Sequence, residues 1–149
     1  MFDALLRVLS AQEPSHPSDL RLSVAVLLLE AARQDDLFDA RERSVIEKLL
    51  INRFDLSQEE CLALIKSAEL RAATMIQLHD HTSEIAARMT PLQRIDLIEM
   101  LWEVAYADGV LDPEEDLLIR RVAGLIYVSD RDRVLARQRV LIRRNQQGE

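Results

Sequence analysis

Apolar residues recur along this chain at three- and four-residue steps almost from end to end, a pattern that predicts helices and no strand. Phe2, Leu5, Leu6 and Leu9 set a short amphipathic helix over residues 2–11. Pro14 and Pro17 interrupt the pattern, so 12–18 reads as a linker and 1–17 as an appendage to one domain over 18–149. A helix starting near Ser18 and Asp19 carries Leu22, Val26, Leu29 and Ala32 on its apolar face and ends at Gln34. Asp39 caps the next helix, with Glu42 at the third helical position to complete a capping box. Val45, Ile46, Leu49, Leu50 and Phe54 form its stripe.

Ser57 with Glu60 is a second capping box, and from Ser57 to Met89 the chain runs 33 residues without Gly or Pro. One straight helix of that length would span about 50 Å, too long for a domain this size. A break or sharp bend is therefore expected between Arg71 and His81. Thr90, Pro91 and Gln93 form a strong helix start, and Ile95, Ile98, Leu101, Trp102 and Ala105 face inward up to Ala107. Trp102 is expected in the core between the two halves described below. Asp112 with Pro113 and Glu115 opens another helix, with Leu117, Leu118, Val122, Leu125 and Ile126 as its stripe. Ser129 with Asp132 caps a last helix to about Ile142, and the tail from Gln146 is expected to fray.

A repeat organises these elements. Residues 21–50 set against 94–123, an offset of 73, share eight identities in 30 positions, where background usage gives about two. The identities include Glu30/Glu103, Asp35/Asp108, Asp39/Asp112 and Glu42/Glu115. Beyond them the offset slips to 72, aligning Phe54–Ser57 with Ile126–Ser129. An internal duplication explains this, and it predicts an all-α fold of about seven helices with pseudo-symmetric halves near 18–56 and 90–128.

Composition agrees and narrows function. The 149 residues are 48% hydrophobic with only three glycines and four prolines, as a helical single domain requires. A net charge of −7 argues against nucleic acid as the main partner. The single Cys61 excludes an internal disulfide and says little else about compartment; no signal-peptide pattern opens the chain and no apolar run is long enough to span a bilayer, so the reading is cytoplasmic.

The candidate chemistry lies in the repeated corner. Asp39/Glu42 and Asp112/Glu115 have the plain role of helix caps. Asp35 and Asp108 fall at or past a helix C-terminus, where a carboxylate meets the negative end of the dipole, and Glu30 and Glu103 sit in the same unfavourable half. These carboxylates suit a hard divalent cation of the Ca²⁺ or Mg²⁺ class, although the spacing is not that of an EF-hand. His79 and His81 face different ways on a helix and His16 lies in the linker, a poor transition-metal set. No catalytic motif accompanies the carboxylates, so no enzyme is expected. The arginines at 131, 133, 137, 139, 143 and 144 read as a solvated face, or as a dock for an acidic partner or a second copy.

At Tyr106-Ala107-Asp108-Gly109-Val110-Leu111-Asp112-Pro113-Glu114-Glu115, preceded by Leu97-Ile98-Glu99-Met100-Leu101-Trp102, the chain resembles the TerB-like tellurite-resistance family over about residues 18–142. The resemblance implies a helical domain of two pseudo-symmetric halves, related also to the N-terminal module of a DnaJ-type membrane co-chaperone. It further implies a non-enzymatic accessory role in tellurite and chemical-stress systems, beside other stress-response proteins. The residues implied as metal ligands are Asp35, Asp39 and Glu42 in the first half and Asp108, Asp112 and Glu115 in the second. Asp36 replaces the expected glycine and strains a left-handed turn, which favours the second corner. The alternative is a metal-free interaction or scaffold module.

Overall fold

The computed structural model describes residues 20–33, 40–73 and 78–147, and all its regular structure is helical. Seven helices follow in order: α1 (Leu20–Ala32), α2 (Ala40–Phe54), α3 (Gln58–Ala73), α4 (Leu78–Arg88), α5 (Pro91–Ala105), α6 (Pro113–Leu125) and α7 (Asp130–Gln147). The expected helix over 2–11, its linker, and the first corner with Asp35, Asp36 and Asp39 lie outside the described residues. The long central segment is two helices, with α3 ending at Ala73 and α4 starting at Leu78, inside the expected window.

The duplication is visible in the packing. The repeat runs past its expected ends at 56 and 128, so that each half has a third helix: α1 packs on α2 and α3, and α5 packs on α6 and α7 in the same way. The halves meet chiefly through α1 against α5. The helix ends repeat in detail. After α2, Asp55 takes φ 53°, and after α6, Tyr127 takes φ 63°. Each is followed by the same closing bond, Leu56 N–H to the Ile51 carbonyl at 3.2 Å and Val128 N–H to the Ala123 carbonyl at 2.8 Å. This is the six-to-one bond that terminates a helix on a left-handed residue. The path from first helical residue to left-handed residue is 15 steps in the first copy (40 to 55) and 14 in the second (113 to 127). The slip from 73 to 72 therefore falls within the second helix of each half.

The caps form as the sequence predicts at three starts. Ser57 N–H donates to Glu60 Oε1 at 2.8 Å while Glu60 N–H donates to Ser57 Oγ at 3.1 Å. Thr90 and Gln93 make the same reciprocal pair at 2.8 and 3.2 Å, and Asp132 N–H donates to Ser129 Oγ at 3.1 Å. Each cap satisfies N–H groups that the helix leaves without a partner.

One helix differs in kind from its sequence reading. α1 is not amphipathic: eleven of its thirteen residues are buried, only Arg21 and Glu30 being partly exposed. It is wrapped by α2, α3, α4, α5 and α6, so an all-round apolar surface is what its position demands. The last helix also outruns the expected end near Ile142 and continues to Gln147. The cause is Arg143, whose guanidinium pairs with Glu99 at 2.7 Å and Glu103 at 2.9 Å and holds the final turns on α5.

Candidate functional site: the second acidic corner

The α5 helix stops where the chain offers it local alternatives. Ala107 N–H returns to the Val104 carbonyl at 3.1 Å, and Gly109 N–H to the Tyr106 carbonyl at 2.9 Å. Gly109 sits at φ +89°, a conformation that a side chain would strain. Asp108 Oδ1 accepts the Val110 N–H at 3.1 Å, a side-chain turn that fixes the loop from within. Asp112 then takes an extended conformation, with Pro113 behind it at the first helical position. Its Oδ1 accepts the Glu114 N–H at 2.7 Å.

The cap thus forms one residue earlier than expected. Glu114, not Glu115, supplies the N–H that Asp112 holds. Glu115 is instead only 2% exposed, and Glu42, at the equivalent place in α2, is likewise 2% exposed. Both point inward from the first turn of a helix, where the dipole favours a carboxylate, and both are engaged by other groups. The sequence reading had taken them as the glutamates that complete capping boxes. Of the six carboxylates singled out, Asp108 and Asp112 share one loop, Glu115 lies beneath it, Glu42 belongs to the other half, and Asp35 and Asp39 fall outside the described residues. Among the described residues no group of three or more His, Cys, Asp or Glu is placed to hold a metal ion. A hard cation takes six to eight oxygens, so Asp108 and Asp112 alone would leave most of its shell to carbonyls and water.

Glu103 has a structural task of its own. With Glu99 one turn before it, it forms an acidic ladder on α5 that meets a basic ladder on α7: Arg139 to Glu99 at 2.9 Å, and Arg143 bridging Glu99 and Glu103. The hydrogen bond to Glu103 leads the effects that raise the Arg143 pKa, with Glu99 adding to it against partial burial. Arg137 donates to the Tyr106 hydroxyl at 2.7 Å and lies over both the Trp102 and Tyr106 rings, at 5.8 and 5.9 Å. Arg133 pairs with Asp130 in its own first turn. Four of the six arginines read as a solvated face are therefore bound within the chain, and three of these fasten α7 to α5. Glu99 was missed, although the matched four-residue spacings Glu99/Glu103 and Arg139/Arg143 carry the signal.

Trp102 is 1% exposed, and its indole N–H donates to the Arg133 carbonyl at 3.1 Å. The ring is in the core as expected, but these contacts are with α7 of its own half. The histidines do diverge: exposed His79 bonds Ser83 at 3.3 Å, while buried His81 sits with Nδ1 3.2 Å from the Ser23 hydroxyl of α1. Burial first, and the nearby Arg71 charge second, push the His81 pKa down. A shallow groove of about 410 Å³ runs between α4 and the end of α6, past Thr82, Ala87, Gly124 and Tyr127.

What projects from the corner is apolar. Val110, at the tip between Asp108 and Asp112, is 70% exposed, and Leu117 on the outer side of α6 is 63% exposed. The family model for tellurite resistance protein TerB matches residues 21–138. No curated protein and no solved structure matches the chain.

Proposed function

The chain belongs to the TerB family of tellurite resistance proteins, and we propose that it is a non-enzymatic accessory protein that engages a partner protein through its acidic corner. The observation that carries this reading is the exposed Val110 held between Asp108 and Asp112 on a loop braced by two side-chain-to-backbone bonds. An apolar tip on a rigid loop with an acidic rim suits a shallow apolar recess rimmed by Lys or Arg. The helix order is fixed around it by Gly109 and Pro113, so little ordering entropy is lost on docking. Among the described residues no helix is long and apolar enough to cross a membrane.

The test is affinity capture from cells challenged with tellurite, with and without chelator. This reading expects the same captured protein in both, lost with Val110→Asp while the helical circular dichroism is retained. Capture unaffected by Val110→Asp contradicts it.

A second reading keeps the divalent cation. It is favoured by one observation: the backbone bonds of Asp108 and Asp112 each use Oδ1, so neither bond occupies Oδ2. In that case Asp108→Asn abolishes cation binding, and Asp112→Asn preserves the helix start and weakens it in part.

A further inference from the structure

The helix contacts of this fold come in pairs. Among the described residues α1 packs on α2 as α5 packs on α6, and α1 on α3 as α5 on α7. Likewise α2 packs on α3 as α6 on α7, and α2 on α5 as α1 on α6, while α1 against α5 is its own counterpart. The contacts of α4 stand outside this scheme. It packs on α1 and α6, and no described helix repeats that pair of contacts as a copy on α5 and α2.

The place where a copy belongs is a groove. About 450 Å³ of open space lies between Arg53 of α2, Leu92, Ile95, Asp96 and Glu99 of α5, and Arg139 of α7. Two equivalences put it at the image of α4. Ser23, the α1 residue that His81 of α4 touches, corresponds to Asp96 at the offset of 73. Leu125, which lines the groove beside α4, corresponds to Arg53 at the offset of 72. Leu92 is 79% exposed and Ile95 only partly buried, so the groove presents apolar surface to a cover.

The chain carries a segment of the right pattern ahead of α1. α4 turns Leu78, His81, Thr82 and Ile85 inward, at steps of three, one and three. Phe2, Leu5, Leu6 and Leu9 recur at the same steps, on a segment outside the described residues. Because α4 precedes α5 and packs on α1, a segment that precedes α1 and packs on α5 completes the two-fold. The eight residues from Gln12 to Asp19 can span about 26 Å, so reach is not limiting. We propose that residues 2–11 are the copy of α4, an amphipathic helix that docks within the same molecule in the groove on α5 and α2.

Its hold is looser than that of α4. Where α4 meets Ser23 on an apolar helix, this segment meets Asp96 paired with Arg53 and Glu99 paired with Arg139. Covering charged pairs opposes the gain from apolar contact. The charged clasp therefore carries α7 whether or not the segment is docked.

A spin label on the full chain tests this. Cys61 is buried, so the label goes to an introduced Ala4→Cys, on the side of the predicted helix away from Leu5, Leu6 and Leu9. In heteronuclear spectra the amides of Arg53, Leu92, Ile95 and Asp96 should lose intensity, while those of Ser83 and Gly124, on the α4 side, keep it. Leu92→Asp, at an exposed site, should restore the lost signals with the helical circular dichroism retained, and so should Leu5→Asp combined with Leu6→Asp. Spin-labelled chain mixed with isotope-labelled chain that carries no spin label should broaden nothing, because the contact lies within one molecule. Loss centred on the α4 groove, loss spread evenly along the chain, no loss at all, or loss that survives either set of substitutions overturns the proposal. Loss in the mixed sample also overturns it, by assigning the groove to a second copy. Val110→Asp leaves the pattern unchanged, which separates the proposal from the corner's own role.

Discussion

Positions 23 and 96 are equivalents under the 73-residue repeat, yet their surroundings are opposite. Ser23 is fully buried and bonded to His81 of α4, whereas Asp96 sits half-exposed and paired with Arg53 of α2. The difference comes from α4, which alone among the described helices has no copy. It packs on α1 and on α6 and covers the first half's central helix, so α1 must be apolar all round. Among the described residues the second half has no such cover. It keeps polar residues on the outer side of α5 and secures α7 with the Glu99, Glu103, Arg139 and Arg143 network instead. A duplicated chain thus reaches two solutions to one packing problem: burial beneath an added helix, and a charged clasp at the surface.

The largest break in that comparison comes from the central helices themselves. Trp102→Ala should cost about 3–5 kcal/mol in denaturant unfolding, because it empties a large buried site and frees the Arg133 carbonyl. Leu29→Ala, its equivalent, should cost about 2–5 kcal/mol by cavity formation alone. A loss under about 1 kcal/mol at either site contradicts the described core.

Acid sharpens the comparison, because the two equivalent sites titrate in opposite senses. The folded pKa of His81 is lowered, so the unfolded chain takes the proton first and stability falls as pH drops below about 6.5 toward the lowered value. The groups facing it are Ser23 of α1, Arg71 of α3 and Asp80 of its own helix. The Asp96 pKa is raised, mainly by burial against the opposing pull of Arg53, so the folded state binds that proton first and gains stability as pH falls through the region just above 3.8. Between pH 7 and about 5.5 the His81 effect should stand alone, and unfolding measured across that range should lose most of its slope in His81→Leu. An unchanged slope assigns the dependence elsewhere.

Backbone substitutions give smaller effects. Gly109→Ala should destabilise by about 1 kcal/mol through its positive φ, since no atom lies within 4 Å of the added Cβ. Tyr127→Gly should stabilise by about 0.5–1 kcal/mol: the tyrosine is 79% exposed, so little packing is lost when its left-handed strain is relieved. Asp55→Gly should gain less, because aspartate tolerates that conformation better than tyrosine does.

Much of this architecture was legible in the residues. Capping pairs are local, so Ser57/Glu60, Thr90/Gln93 and Ser129/Asp132 could be read from spacing alone. The repeat exposed the pairing of halves, and even the one-residue slip fell within the helix where the structure puts it. What could not be read was set by long-range packing. The wrapping of α1 depends on where α4 lies, and Glu115 has the spacing of a capping glutamate while its side chain turns inward. The arginines of α7 looked solvated because their acidic partners, Glu99 and Glu103, lie 40 residues or more away in the chain. At the corner, sequence located the carboxylates, but only the hydrogen bonds of Asp108 and Asp112 assign them to bracing the loop.

That assignment is the account's central claim, and calorimetric titration of the chelator-stripped protein with Ca²⁺, Mg²⁺, Mn²⁺ and Zn²⁺ tests it most directly. If Asp108 and Asp112 serve the loop and the exposed Val110 serves a partner, no cation binds more tightly than about 1 mM, and Asp108→Asn leaves every titration unchanged. Saturable binding below about 0.1 mM that is lost in Asp108→Asn contradicts the account and makes the corner a cation site.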